Sequence, residues 1–167
     1  MPNDEVLRFA MAALVADQRA DQRSIDVVRV VRDGDDVVVA VRFDDASGRR
    51  QAMLGFLDAG GRCRGTGGFG GPVPSPQDEA AWHSGGWSHS GGRRGVCGFW
   101  VADPAATALR LTDMSRQEHQ AVIEDGVAVV LWDGDFNVAS ARVELLGADG
   151  DVLSAGPVSP APRLVIS

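Results

Sequence analysis

The sequence contains no lysine and no tyrosine, and its balance of charge is acidic. All 16 basic residues are arginine, so the lysine-bearing phosphate loop of many nucleotide-binding proteins is excluded. The formal net charge is −7 at pH 7. Proteins that bind nucleic acid need a basic face to engage phosphates. We therefore expect no general nucleic-acid binding.

Long apolar runs are also missing. No stretch approaches the roughly 18 apolar residues of a membrane-spanning helix. The first five residues are acidic where a secretory signal would be basic. These features predict a soluble, cytoplasmic protein without membrane association. The two cysteines, Cys63 and Cys97, are then expected to stay reduced.

Valine-rich segments separated by turn residues indicate a mostly β fold, α+β overall. Apolar residues recur at helical spacing from Asp4 to about Arg19, with Asn3 as the N-cap. We predict that this helix packs on a small antiparallel sheet, and that a β-sandwich of six or seven short strands follows; the immunoglobulin-like sandwich is one form of it. The predicted strands lie near residues 25–32, 37–43, 51–57, 62–64, 96–102, 107–111, 118–123, 127–132, 139–146, 152–154 and 164–166.

The chain of 167 residues is long enough for one domain or for two small lobes that share a core. We predict a helix and antiparallel meander over residues 1–71 and a β-sandwich-like lobe over residues 96–167. Between them, residues 72–95 are predicted to form a connecting loop rich in glycine, proline and serine. Glycine and proline are too frequent across residues 65–76 for a regular helix or a central strand.

The glycine-rich middle of the chain is the leading candidate for a binding surface. Residues 60–98 hold thirteen of the 21 glycines, and residues 60–102 are the one locally positive part, with four arginines against two acids. Aromatic residues and arginine are enriched at binding hot spots. The alternative is that the aromatic residues plug the end of a sheet. The candidate binding residues are Phe69, Trp82, His83, Trp87, His89, Arg93 and Arg94.

A zinc site is the first metal hypothesis. Two thiols and two imidazoles would suit zinc, and the chain offers Cys63, His83, His89 and Cys97. Their spacing lacks the short Cys-x-x-Cys pair that usually pre-organises such a site. The alternative is two buried structural cysteines and two exposed histidines, so no cofactor is expected.

A calcium site is the second metal hypothesis. Asp133, Asp135, Asn137 and Glu144 fall at positions 1, 3, 5 and 12 of an EF-hand loop. Position 6 should be glycine but is Val138, and the flanking segments are predicted strands. The tripeptide Asp-Gly-Asp recurs at residues 33–35 and 149–151, which favours a turn.

Two further motifs fail on their surroundings. Ser84 and Ser90 each stand in His-Ser-Gly-Gly, but the leading glycine and the parallel sheet of a hydrolase nucleophile elbow are missing. Gly65, Gly67 and Gly70 match a dinucleotide-binding motif, but prolines replace the helix that would hold the pyrophosphate.

The leading hypothesis for function is a non-catalytic binding protein whose partner is an unknown protein or small ligand. One alternative is a small enzyme or ligand carrier with a pocket between the N-terminal helix and its sheet. Another is a structural homo-oligomer built on strand edges. Residues 141–153 resemble hairpins of many bacterial β-sandwich modules, over a stretch that identifies no family.

Overall fold

The computed structural model describes residues 4–16, 19–58, 60–72, 81–87 and 94–158. For residues 4, 14, 15, 63–72, 81–87, 94 and 139 it describes only the course of the backbone. The chain divides into two compact units, Met1–Val73 and Pro74–Ser167. Asn3 and residues 164–166, for which a helix cap and a strand are predicted, lie outside the described part.

Across these residues, one helix is followed by eleven strands in three antiparallel sheets. This confirms the predicted mostly β, α+β fold with a single N-terminal helix. The elements are α1 (Asp4–Val15), β1 (Asp26–Asp33), β2 (Asp36–Asp44), β3 (Arg50–Asp58), β4 (Cys63–Pro72), β5 (Ala81–Trp87), β6 (Arg94–Val101), β7 (Ala108–Thr112), β8 (Glu118–Val122), β9 (Val127–Asp133), β10 (Arg142–Leu146) and β11 (Val152–Pro157).

The first unit is a four-stranded sheet in the order β1-β2-β3-β4 with α1 packed on one face. Leu7 and Met11 of the helix are fully buried, and each contributes roughly 1.5–3 kcal/mol by leaving water. Alternate residues of β2 form the floor of this core, as the sequence pattern predicts. The buried core residues are Leu7, Met11, Ile25, Val37, Val39, Val41, Phe43, Met53 and Leu57.

The central strands β2 and β3 are buried on both faces. Val38 and Ala40 of β2, and Leu54 and Phe56 of β3, alternate with the core residues and are just as inaccessible to water. Strands that bury both faces read as continuous apolar runs rather than as alternating ones. This explains the unbroken Val-Val-Val-Ala-Val of β2.

The glycine-rich middle differs from its prediction. The backbone of Cys63–Pro72 forms β4, the edge strand paired with β3. Ala81–Trp87 forms β5 inside the segment predicted as a connecting loop over residues 72–95. The composition rule concerned central strands, whereas an edge strand has one side without ladder bonds and tolerates glycine and a terminal proline more readily.

The second unit contains two sheets that share one core. The four-stranded sheet has the order β11-β10-β7-β8, and the three-stranded sheet has the order β5-β6-β9. Side chains from both sheets enter a single apolar cluster, which is the arrangement of a β-sandwich. Its buried members are Cys97, Phe99, Val101, Ala106, Leu109, Leu111, Ala128, Val130, Trp132, Phe136, Ala141, Leu145 and Val158.

Four hairpins close through the same kind of five-residue loop, at residues 45–49, 58–62, 113–117 and 147–151. In each loop the first residue donates its N–H to the carbonyl of the fifth, over 2.8–3.1 Å, and the fourth residue donates back to the carbonyl of the first. The fourth residue has a positive φ of 62–81° in all four loops. The repeated geometry sets the register of each hairpin.

An aspartate carboxylate reinforces three of these loops. The side chains of Asp45, Asp58 and Asp113 accept the N–H of the fifth loop residue at 2.9–3.0 Å. Hydrogen bonds from Ser47, Arg49 and Gln51 lower the pKa of the Asp45 carboxyl to about 2. The carboxylates therefore act as local caps for backbone donors.

The fourth position of these loops is glycine at Gly48, Gly61 and Gly150, but it is Arg116 in the β7–β8 hairpin, with φ of 62°. A side chain in this left-handed region is strained. We expect Arg116→Gly to raise the free energy of unfolding by about 0.5–1 kcal/mol in urea titrations.

The matched control is Gly150→Ala in the same unit. No atom lies within 4 Å of an added methyl group there, so the expected loss of about 1 kcal/mol would be conformational only. A lower stability of Arg116→Gly would contradict the interpretation.

A glycine on β6 makes room for a tryptophan of the neighbouring strand. Gly95 pairs in register with Trp132 of β9, and a Cβ built on Gly95 would overlap the indole ring. The ring also lies against two other aromatic groups: the Phe136 ring centroid is 5.2 Å away and that of His119 is 6.1 Å away. His119 and Phe136 meet edge to face at 4.6 Å. Strands β8 and β9, each at the edge of its sheet, are thus joined by tilted and edge-to-face ring contacts.

We expect Gly95→Ala to destabilise the second unit by about 1–3 kcal/mol, because the methyl group must displace a buried ring from its packed position. Gly156→Ala on β11 is the matched control, since nothing lies within 4 Å of its added methyl group. Chemical denaturation of both variants measures the difference. Equal stability of the two variants would show that Trp132 can move at no cost.

Candidate functional site

Strand β5 carries three of the predicted binding residues at the edge of the three-stranded sheet. Its register with β6 places Trp82 opposite Trp100, His83 opposite Phe99 and Trp87 opposite Gly95. Because residues of a strand alternate between faces, Trp82 belongs to one face of the sheet, and His83 and Trp87 belong to the other.

The remaining predicted binding residues are distributed over both units. Phe69 lies on β4 of the first unit, opposite Leu54. Arg94 begins β6 and pairs in register with Asp133. His89 and Arg93 lie outside the described residues. The structure therefore groups Trp82, His83, Trp87 and Arg94 on two neighbouring strands.

Of the predicted zinc ligands, Cys97 is the one whose side chain is described. It is a free thiol, fully buried in the sandwich core beside Phe99. Burial raises the pKa of the Cys97 thiol to about 12, which favours a neutral structural thiol over a zinc-bound thiolate. Cys63 and His83 lie on β4 and β5, and His89 lies outside the described residues.

The predicted calcium ligands include a carboxylate that is already paired. Glu144 accepts from Arg110 Nε at 2.7 Å and from Arg110 Nη2 at 2.6 Å, across the β7–β10 ladder. Asp133 and Asp135 are exposed, and the carbonyl of Asn137 accepts from Ser140. In the part of the chain that the structure describes, no three His, Cys, Asp or Glu side chains are grouped so as to hold a metal ion.

Two features of the second unit were not recognised from the sequence. His119 lies on edge strand β8, on the same face as Ala121, which packs against the core; its ring meets Phe136 edge to face and is tilted against Trp132. The buried Nε1 of Trp100 has no hydrogen-bond acceptor among the side chains and backbone that the structure describes. Alternation along β8, where Glu118, Gln120 and Val122 face outward, was the available signal for His119.

The described residues contain no helix that is both long and apolar enough to cross a membrane. No protein-family model, curated protein or solved structure matches the chain. Function is therefore argued from the geometry of the molecule alone.

The missing lysines and tyrosines make the Cys97 thiol testable by alkaline titration. Between pH 9 and 12 no lysine or tyrosine ionises, because the chain has none, and arginine titrates above roughly pH 12. The folded-state pKa of Cys97 is about 12, whereas the ordinary pKa of a cysteine thiol is 9.0. The stabilisation that folding gains by burying the neutral thiol is thus fully present below pH 9 and is lost as the pH rises towards 12.

We expect the free energy of unfolding to fall by about 2 kcal/mol between pH 9 and about pH 10.5, because pH 10.5 lies some 1.5 units above the pKa of the thiol in the unfolded chain. Cys97→Ala should remove most of this decline, whereas Cys63→Ala should keep it. Thiolate absorbance, which no tyrosinate obscures, reports the ionisation directly. A decline that persists in Cys97→Ala would refute the assignment.

Proposed function

We propose that this protein is a non-catalytic binding protein and that the strand β5 edge of its second unit engages the partner. The observation that carries the proposal is the position of β5 at the edge of its sheet within the part of the chain that the structure describes. An edge strand offers unpaired backbone groups to an incoming chain. Here the strand also bears Trp82, which the register places on the face opposite to that of the core residue Phe99, and tryptophan is a residue type suited to anchor a partner.

The strand order of the second unit supports a binding-module architecture. Numbered one to seven from β5, its sheets read 1-2-5 and 7-6-3-4. The constant-type immunoglobulin sandwich has sheets 1-2-5-4 and 3-6-7, so the two orders differ in the sheet that holds the fourth strand, β8. The proposal includes an immunoglobulin-like sandwich as the scaffold, and the β5 residues, not the scaffold, would provide the binding function.

Charge also favours this part of the chain. The arginines around β5 and β6 belong to the locally positive stretch of an otherwise acidic sequence. An acidic or neutral partner would meet less repulsion there than elsewhere. The proposal keeps the cytoplasmic location expected from the sequence and includes no cofactor. Stoichiometric zinc or calcium in the purified protein would instead support the zinc-site or the calcium-site hypothesis.

The alternative pocket between α1 and the first sheet receives less support. The space holds packed apolar side chains, including Leu7, Met11 and Phe43, so a ligand would have to displace a core. The homo-oligomer alternative is distinguished by sedimentation, because it predicts a stable self-associated species in the absence of any partner.

The proposal is tested by placing a photo-crosslinking amino acid at Ser84 on β5, and at Asp35 in the β1–β2 turn as the control. We expect a partner captured through Ser84 but not through Asp35. Calorimetry with that purified partner should then show at least about tenfold weaker binding by Trp82→Ala. Equal capture at both positions, or unchanged affinity of Trp82→Ala, would overturn the proposal.

A further inference from the structure

A row of apolar side chains crosses the outer face of the four-stranded sheet in the second unit. The register pairs Val122 of β8 with Ala108 of β7, Ala108 with Leu146 of β10, and Leu146 with Val152 of β11. The row spans about 14 Å, since it covers three inter-strand spacings. It occupies one end of the sheet.

This row is accessible to solvent at both of its ends. Val122 is 58% exposed and Val152 is 48% exposed, while Leu146 between them is buried. Leu153, the residue after Val152, is 43% exposed and lies beside Gly147 of the same hairpin. Three of the six large apolar side chains that are exposed within the described residues thus share one end of one sheet. Such clustering is a mark of interaction sites, unlike single exposed apolar residues.

The next row along the same face contains an ion pair, Arg110–Glu144. Gln120, Arg110, Glu144 and Ala155 lie opposite one another in the ladder. The Arg110–Glu144 ion pair leaves neither of these charges to attract a partner. The apolar row therefore has a sharp boundary on this side.

Acidic loops surround the apolar row on its other side. The backbone brings together the segment before β7 (residues 103–107), the segment after β8 (residues 123–126) and the β10–β11 loop (residues 147–151). These segments contain five acids and no base: Asp103, Glu124, Asp125, Asp149 and Asp151. Asp125 and both loop aspartates, Asp149 and Asp151, are exposed.

We propose that the row formed by Val122, Ala108, Leu146 and Val152, together with Leu153, is a docking surface for a basic, amphipathic segment of a partner protein. Apolar side chains of the partner would cover the row, and its arginine or lysine residues would face the acidic loops. A second copy of the chain is disfavoured, because it would bring two acidic loop clusters together. Nucleic acid and anionic lipid are repelled for the same reason. The proposal is independent of the role of β5.

The test uses two synthetic peptides of about twelve residues, a length that spans the row with its flanking loops. One alternates valine and leucine with arginine, and the other carries glutamate in place of arginine. Backbone NMR spectra of the full chain are recorded during titration with each peptide. We expect saturable shifts from the arginine peptide centred on residues 122, 146, 152 and 153, and none from the glutamate peptide.

Variants separate the apolar and the charged contributions. Val122→Ser combined with Val152→Ser should weaken binding of the arginine peptide about tenfold, while Met114→Ser should leave its affinity unchanged. Met114 is 85% exposed at the opposite end of the same sheet and serves as the matched control. Asp125→Asn combined with Asp149→Asn should weaken binding and reduce its salt dependence, because exposed charges are screened by salt. Asn also tolerates the positive φ at position 125.

Glu5→Gln combined with Asp35→Asn controls for the loss of two negative charges, since both residues are exposed in the first unit. The proposal is overturned if the arginine peptide causes no shifts, causes them elsewhere, or binds the serine variants as tightly as the original chain. Equal binding of the glutamate peptide, or dimerisation that protects the row, would equally reject a basic partner. Dispersed spectra of each variant establish that its fold is intact.

Discussion

The register of the hairpins is the constraint on which the rest of this structure depends. A strand that slips by one residue presents its other face, and in this chain the two faces carry different side chains. In the second unit, β7 alternates buried Leu109 and Leu111 with outward Arg110. The recurring five-residue loop ties each hairpin into one register through its paired first and fifth residues. Local backbone geometry thereby decides which side chains enter the core.

The same register determines which chemistry is accessible. Cys97 shares the core face of β6 with Phe99, so its thiol is buried away from water and the pKa of the thiol is raised. Glu144 is directed to the outer face, where it meets Arg110 rather than the acids of the 133–137 segment. A side chain of a metal-binding type can therefore already be buried in the core or held in an ion pair. Residue type alone does not show which of these roles a side chain has.

Much of the fold could be predicted from the sequence, because valine alternation and Asp-Gly turns are local signals. Strand β2 was predicted over residues 37–43 and spans Asp36–Asp44. A strand was predicted only at the start of β4, near residues 62–64, and none was predicted at β5, since glycine content argues against central strands but not against edges. Arg116 in a left-handed conformation was equally unpredictable, because arginine has no preference for positive φ. For the candidate site, the sequence indicates Trp82, His83 and Trp87, which all lie on β5 but on two different faces of the sheet. The Arg110–Glu144 pair joins residues 34 positions apart, so it can be found only when the ladder is known.

Features assembled from several strands are the ones that a linear sequence conceals. The apolar row on the outer face takes one residue from each of four strands, and each of these residues is unremarkable in its own segment. Its acidic surround is likewise collected from three separate loops. The glycine-rich middle is conspicuous because its residues are consecutive, whereas this row becomes visible only after register is established. A β-sandwich can thus carry one strand that its composition makes conspicuous and one sheet face that the sequence does not reveal. The sheet face is found by pairing residues across the ladder rather than by reading along the chain.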